Sequence, residues 1–272
     1  MNNQELEQLA SELRFKIIRQ SHLSDIPHLG SCLSCLDILA VLYFKILNVD
    51  PKNPENSERD RFVLSKGHAA PALFQVLAKM GFYDASLMQT YNQNGSVFGE
   101  HPPAHGIPGI EAATGSLGHG LPIAVGMALA AKMNKQKYKT FALLSDGECN
   151  KGSIWEAAMM ASAHKLENLI AIIDFNKWQA TGRSEEILSI NPLADKWRAF
   201  GWSASELDGN DIPSLVERLK NIPDTSGKPI AIIAHTVKGK GVSFMEDDNN
   251  WHYRMPNKDE VEAARKELGV EL

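Results

Sequence analysis

A chain of 272 residues, 43% hydrophobic and 22% charged, has room for one large α/β domain with a substantial core, and its composition is too ordinary for a disordered protein. A formal net charge of −5, with no basic patch or polybasic run, argues against nucleic acid and against an anionic membrane surface as partners. No run of 18 apolar residues is present to span a membrane, and the acidic start Met1–Leu6 does not read as a secretory signal, so a cytoplasmic location is expected.

Leu6, Leu9, Leu13 and Ile17 recur at helical spacing and predict an opening amphipathic helix. The small-residue stretch Ser31–Leu42 follows, with Cys32 and Cys35 in a Cys-x-x-Cys. That spacing can signal metal or redox chemistry. The third cysteine, Cys149, stands alone, so no second pair completes a zinc site, and cysteine in such a stretch packs as a small hydrophobe. Packing is the favoured reading.

Asp37–Leu47 predicts a second, more buried helix. Arg61–Leu64 reads as a strand, Ser65–His68 as a turn and Ala69–Met80 as a helix. Gln93–Gly109 is rich in Gly, Pro and His, and is a loop long enough to carry function. Gly115, Gly118 and Gly120 lead into a helix over Leu121–Met133. Strands are expected at Phe141–Leu144, Leu169–Asp174, Ser203–Leu207 and Ile230–Ala234, and helices at Ser153–His164, Ile212–Leu219 and Glu260–Leu268. This alternation predicts an α/β fold, a largely parallel sheet flanked by helices on both faces. With no internal repeat and no low-complexity linker, residues 1–272 are expected to form a single domain.

The sharpest chemical signal runs from Ser145-Asp146-Gly147 to Asn176-Lys177-Trp178. Both ends follow an apolar strand, and one helix lies between them. A right-handed β-α-β unit brings Asp146 and Asn176 to the carboxyl ends of parallel strands, the edge where open α/β sheets bind ligands. Two hard oxygen ligands there suit magnesium, which completes its shell with phosphate oxygens. Gly147, lacking a Cβ, lets backbone approach a phosphate. Either segment alone would be an ordinary turn or cap; the pair points to a metal–phosphate site.

The stretch Asp146-Gly147-Glu148, with Gly152–Ala158, Lys165–Leu169 and Asn176, resembles the thiamine-diphosphate motif of transketolases. Asp60–Pro71, Thr114–Gly118, and Lys238–Gly241 followed by Trp251-His252 resemble further segments of that family, in the same order and across nearly the whole chain. The resemblance implies a thiamine-diphosphate-binding domain of the PP type, with thiamine diphosphate and magnesium as cofactors. It assigns the metal to Asp146, the Asn176 side chain and the Trp178 carbonyl. It sets Gly147 against the diphosphate, and adds Gly115, Leu117, Glu156 and Lys238 to the cofactor site. Without the resemblance, Lys238 reads as a solvated turn lysine. His28, His68, His101 and His252 fall where the family places histidines around the thiazolium and the sugar hydroxyls. Neutral imidazole donates or accepts, which suits both proton transfer and a polyol. His105 and His119 are weaker candidates; His22, His164 and His235 are read as structural.

Several positions depart from the family pattern. Its Gly-His-Pro-Gly-Gly is Pro27-His28-Leu29-Gly30-Ser31 here, and its Gly-Asp-Gly is Ser145-Asp146-Gly147. Its Gly-Gln-Gly is Gly118-His119-Gly120, and its Gly-His-Pro is Glu100-His101-Pro102. Lys151 stands where many members carry a glutamate of an acidic relay between the two cofactor sites of a dimer, while Glu156 keeps a second relay position. These changes point to a variant with an unusual sugar substrate.

The implied reaction is transfer of a two-carbon ketol unit from a ketose to an aldose. The glutamate that activates the aminopyrimidine belongs to a pyrimidine-binding domain that no segment here resembles. That domain, the C-terminal domain and the sugar-phosphate contacts are expected on a partner chain, two copies of each chain forming a heterotetramer. A deoxyxylulose-phosphate-synthase-like enzyme and a non-catalytic scaffold are the alternatives. The histidine set and Ser65–His68 favour transketolase over the first, and the retained metal ligands argue against the second.

Overall fold

The computed structural model describes residues 1–271. Strands β1 (Arg61–Leu64), β2 (Thr140–Ser145), β3 (Leu169–Phe175), β4 (Ser203–Asp208) and β5 (Ile230–His235) form one sheet, ordered β1-β2-β3-β5-β4, and every neighbouring pair is parallel. The helices are α1 (Asn3–Ser24), α2 (Leu29–Ser34), α3 (Leu36–Val41), α4 (Ala70–Met80), α5 (Gly120–Met133), α6 (Gly152–Ala163), α7 (Ser184–Leu188), α8 (Leu193–Ala199), α9 (Ile212–Lys220) and α10 (Lys258–Glu267).

The pleat sorts the central strands into two cores. Phe141, Leu143, Ile170, Ile172, Ile230 and Ile232 face one layer, with Leu13 of α1, Ile38 of α3, Leu73 of α4 and Leu215 of α9. Ala142, Leu144, Ala171, Ile173, Ala231 and Ile233 face the other, with Val125 of α5, Ala158 of α6 and Trp197 of α8. Both faces are covered, which is why β2, β3 and β5 read as unbroken apolar runs. The edge strand β4 instead alternates partly buried and exposed positions and carries Ser, Glu and Asp, as edge strands do.

Two expectations are corrected. The helix expected over Asp37–Leu47 is α3 followed by a π-helical segment, Leu42–Ile46. Residues 29–42 are buried throughout, so no polar face marks where the winding changes. Helices α2, α7 and α8 were not expected at all. Each has fewer than eight residues, too few to show a 3.6-residue period.

The carboxyl edge of the sheet collects the motif segments. Ser65–His68 leaves β1, Ser145–Gly147 leaves β2, Asn176–Trp178 leaves β3, and Thr236–Gly241 leaves β5. Helix α2 is tied to the same edge by the Gly239 N–H, which donates to the Gly30 carbonyl at 3.0 Å.

Candidate cofactor site at the carboxyl edge of the sheet

Asp146 emerges from β2 fully buried. Its Oδ2 accepts from the Ser184 hydroxyl at 2.7 Å, while Oδ1 has no hydrogen-bond partner. Burial pushes its pKa up to about 6 despite the Ser184 hydrogen bond, and the nearby Asp174 charge adds to the rise. An orphaned buried carboxylate oxygen is costly, and a cation would satisfy it. On the adjacent strand end, the Asn176 amide donates to Ser34 Oγ at 3.2 Å and Asp174 Oδ2 at 3.3 Å; its oxygen accepts from the Trp178 N–H at 3.1 Å. The available donors are a carboxylate, an amide and a backbone carbonyl. That hard, sparse set fits magnesium shared with a phosphate. Among the described residues, no group of three His, Cys, Asp or Glu is placed to hold a metal.

Gly147 packs bare against the loop after β3: a Cβ there would lie 2.9 Å from Gln179 Cγ. The Gln179 amide nitrogen is also buried without a partner. An orphan acceptor and an orphan donor thus flank Gly147, as a metal-bound anion requires. Gln179 carried no sequence signal beyond its closeness to Asn176.

Asp174 was also missed, and it organises the site. This fully buried carboxylate on β3 pairs with the Lys66 ammonium and accepts from the Thr236 hydroxyl. It further accepts from Ser34 Oγ at 2.6 Å and from the Asn176 amide. Lys66 in turn donates to the Ser31 carbonyl at 3.0 Å. Burial works against the Lys66 charge, but Asp174 outweighs it and holds the pKa above the ordinary lysine value. Four segments are pinned to one carboxylate: the turn with His68, helix α2 behind His28, the strand end with Asn176, and the approach to Lys238. The one sequence signal was an acidic residue inside an otherwise apolar strand.

Glu148 does similar work next door. Its Oε1 accepts from the Gly118 N–H at 2.8 Å and from the Ser65 hydroxyl, tying the glycine loop to the ends of β1 and β2. Burial raises its pKa. Ser145, where the family has glycine, accepts from the Glu148 N–H at 3.2 Å, so its hydroxyl is built into the turn.

His28, His68 and His252 gather in front of this frame. Their ring centroids lie 5.4 Å (His28–His68), 5.0 Å (His28–His252) and 6.1 Å (His68–His252) apart. His28 adopts a left-handed backbone, φ 69°, as it enters α2, and its N–H donates to the His252 carbonyl at 2.7 Å. Burial lowers the pKa of His28, takes His68 well below the ordinary value, and with the Lys238 charge brings His252 to about 3. All three rings are therefore neutral near pH 7. His101 packs on Gly115, where a Cβ would lie 2.9 Å from His101 Cδ2, and its charge reaches both His28 and His68.

Lys238 is buried, contrary to a solvated turn lysine. Burial, then the Lys66 charge, lowers its pKa to about 8. Its Nζ donates to Asn249 Oδ1 at 2.6 Å and lies 3.0 Å from His252 Nδ1. With Lys238 charged, Nδ1 accepts and the His252 proton sits on Nε2. Gly30 makes room for this lysine: a Cβ there would lie 3.0 Å from Lys238 Cγ.

The remaining candidates differ in exposure and partners. Leu117 is half-buried on the glycine loop, and Glu156 and Lys151 are exposed on and just before α6. His105 and His119 are exposed as well. His22 bonds the Pro256 carbonyl at 2.8 Å, and His235 meets Glu206 at 2.7 Å. Cys32 and Cys35 are buried free thiols; burial pushes Cys35 up to about 12 and Cys32 higher still, which suits packing rather than redox chemistry.

Residues 6–272 match the family described as transketolase, thiamine diphosphate binding domain. The chain is 42% identical over 272 residues to an apulose-4-phosphate transketolase subunit of Phocaeicola vulgatus, spanning 100% of this chain and 96% of that one. It is 40% identical over 267 residues to the 6-deoxy-6-sulfo-D-fructose transketolase subunit SqwG of a Clostridium species, spanning 98% and 97%. The fold superposes on the crystal structure of transketolase from Campylobacter jejuni with a TM-score of 0.93 at 32% identity, covering 100% of this chain and 44% of that one. The chain belongs to the transketolase family and comprises its thiamine-diphosphate-binding domain.

Proposed function

We propose that this chain is the N-terminal subunit of a two-chain transketolase that moves a two-carbon ketol unit from a ketose donor to an aldose acceptor. The observation that carries the reading is one sheet edge holding an unpartnered, buried Asp146 oxygen together with three neutral imidazoles and a buried lysine. Both relatives described above are named as transketolase subunits, and each is nearly spanned by this chain.

Asp146, the Asn176 oxygen and the Trp178 carbonyl would hold magnesium, with Gly147 and the Gln179 amide against the diphosphate. Bound thiamine diphosphate supplies stabilisation of a carbanion at a former carbonyl carbon. The protein's part is to orient and to move protons. His252, with its proton on Nε2, donates to a sugar oxygen; His28 and His68, both neutral, accept or donate as the hydroxyls require. His101, lying on Gly115, closes the site from the glycine loop.

The pyrimidine-binding and C-terminal domains are assigned to a partner chain, with two copies of each chain. The names of the two relatives, a sugar phosphate and a sulfo-sugar, support an unusual ketose whose anionic group lies away from the ketol end. The test is to assay the purified chain with thiamine diphosphate, magnesium and a panel of ketose donors, by itself and with the C-terminal partner chain. Aldose release is expected only from the pair. Turnover by the lone chain would refute the two-chain reading, and no turnover by the pair would refute the activity. Efficient use of pyruvate as donor would favour the deoxyxylulose-phosphate-synthase-like alternative.

Lys238 makes a second expectation measurable. Its pKa of about 8 leaves it half-protonated at pH 8. An arriving diphosphate favours the charged form, so binding at pH 8 should take up about half a proton per site. Calorimetry of cofactor binding in buffers of different ionisation enthalpy reads this directly. Lys238→Met should abolish the uptake, and zero uptake in the wild type would separate Lys238 from the diphosphate.

A further inference from the structure

Tyr253 follows His252 at the mouth of the histidine cluster. Its ring stands edge-on to His252 at a centroid distance of 4.7 Å and lies 6.0 Å from His28. It is 62% exposed, although its neighbours Trp251 and His252 are buried. An aromatic ring left this open contributes little to the core.

Its position is nonetheless fixed. The Tyr253 N–H donates to the Asn250 carbonyl at 3.3 Å and closes the turn Asn249–His252. The same turn supplies Asn249 to Lys238. On the far side, the Arg254 guanidinium lies over the Trp251 ring at 4.3 Å and pairs with Glu260. The backbone is held on both flanks, and the ring is held up beside two imidazoles that suit polyol hydroxyls. A flat apolar face next to neutral donors and acceptors matches the two sides of a sugar: its hydroxyls bond to the imidazoles while its C–H face packs on the ring.

We infer that Tyr253 is a specificity-determining residue, forming an aromatic wall of the sugar site beside His28 and His252 that contacts the ketose beyond its two-carbon ketol unit. This rests on the proposed ketol transfer.

The test uses the two-chain holoenzyme with two donors. D-xylulose 5-phosphate extends past the ketol unit, whereas hydroxypyruvate offers only a carboxylate there. Tyr253→Ala should raise KM for xylulose 5-phosphate about tenfold with kcat nearly unchanged, and leave the hydroxypyruvate constants as they were, because only the longer donor loses a contact. Tyr253→Phe should behave as wild type with both. Equal losses on the two donors would mean an effect passed through His252 and would overturn the inference. So would unchanged constants, or weaker assembly with the partner chain, which would make Tyr253 an interface contact. Should the wild-type pair turn over neither these donors nor any other ketose of the panel, the proposed activity fails by itself. The wall is then read from binding of xylitol to the holoenzyme by saturation-transfer NMR, which Tyr253→Ala is expected to weaken; unchanged xylitol binding would overturn it.

Discussion

Asp146→Ala is expected to lower the magnesium-dependent affinity of the assembled enzyme for thiamine diphosphate by about a hundredfold or more, because no other carboxylate is poised to take the metal's charge. Asp174 is close, but both its oxygens are committed to Lys66, Thr236, Ser34 and Asn176. The same substitution should not weaken the fold. Asp146 accepts a single side-chain hydrogen bond, from Ser184, and its other oxygen is buried without a partner. Its folded pKa of about 6 lies above the ordinary 3.8, so the cofactor-free folded chain binds the extra proton between those values. Stability is then full below about pH 4 and lost as pH rises through 6, by on the order of 2–3 kcal/mol. Melting curves of the cofactor-free chain across this range should slope downward in the wild type more than in Asp146→Ala. Near-normal cofactor affinity in the variant would rule out Asp146 as the metal's anchor.

The sheet was readable because each strand is short and closed by a turn signal and four of the five are apolar, and the ends of all five fell within a residue or so of expectation. Asp146 and Asn176 were readable for a related reason: a polar residue directly after a buried strand has few places to go except the carboxyl edge. Asp174 was not, since its partners Ser34, Lys66 and Thr236 are distant in sequence and meet only once the sheet order is known. Lys238 was assigned to the cofactor site by resemblance alone. Its glycine-rich surroundings read as an exposed turn, but left-handed Gly239 and Gly241 fold that turn back so that the lysine is buried against α2. His101 was grouped with the other three histidines by resemblance alone; it comes from the loop Gln93–Gly109 and packs on Gly115, a placement that no periodicity in that loop could show.

Asp174→Asn should produce two losses that a second substitution separates. With the carboxylate gone, the Lys66 ammonium is left buried and uncompensated, which typically costs about 3–5 kcal/mol and so about 10 °C in the melting temperature of a domain this size. Removing both charges, in Lys66→Met with Asp174→Asn, should bring the melting temperature back to within a few degrees, since an uncharged pair of similar volume replaces a buried ion pair at little cost. Cofactor affinity should not return with it. Ser34, Thr236 and the Asn176 amide all direct donors at Asp174. An amide in its place offers one acceptor oxygen instead of two, so the Asn176 oxygen and helix α2 lose their fixed orientation. The double variant is therefore expected to melt like wild type and still bind thiamine diphosphate at least about tenfold more weakly, within the range usual for losing a support of a metal ligand. Titration of the cofactor into the two-chain enzyme, followed by tryptophan fluorescence, measures this beside the melting curve. Recovery of affinity together with stability would reduce Asp174 to a counter-ion for Lys66, and the positions of Asn176, His28 and Lys238 would then be set by the sheet alone.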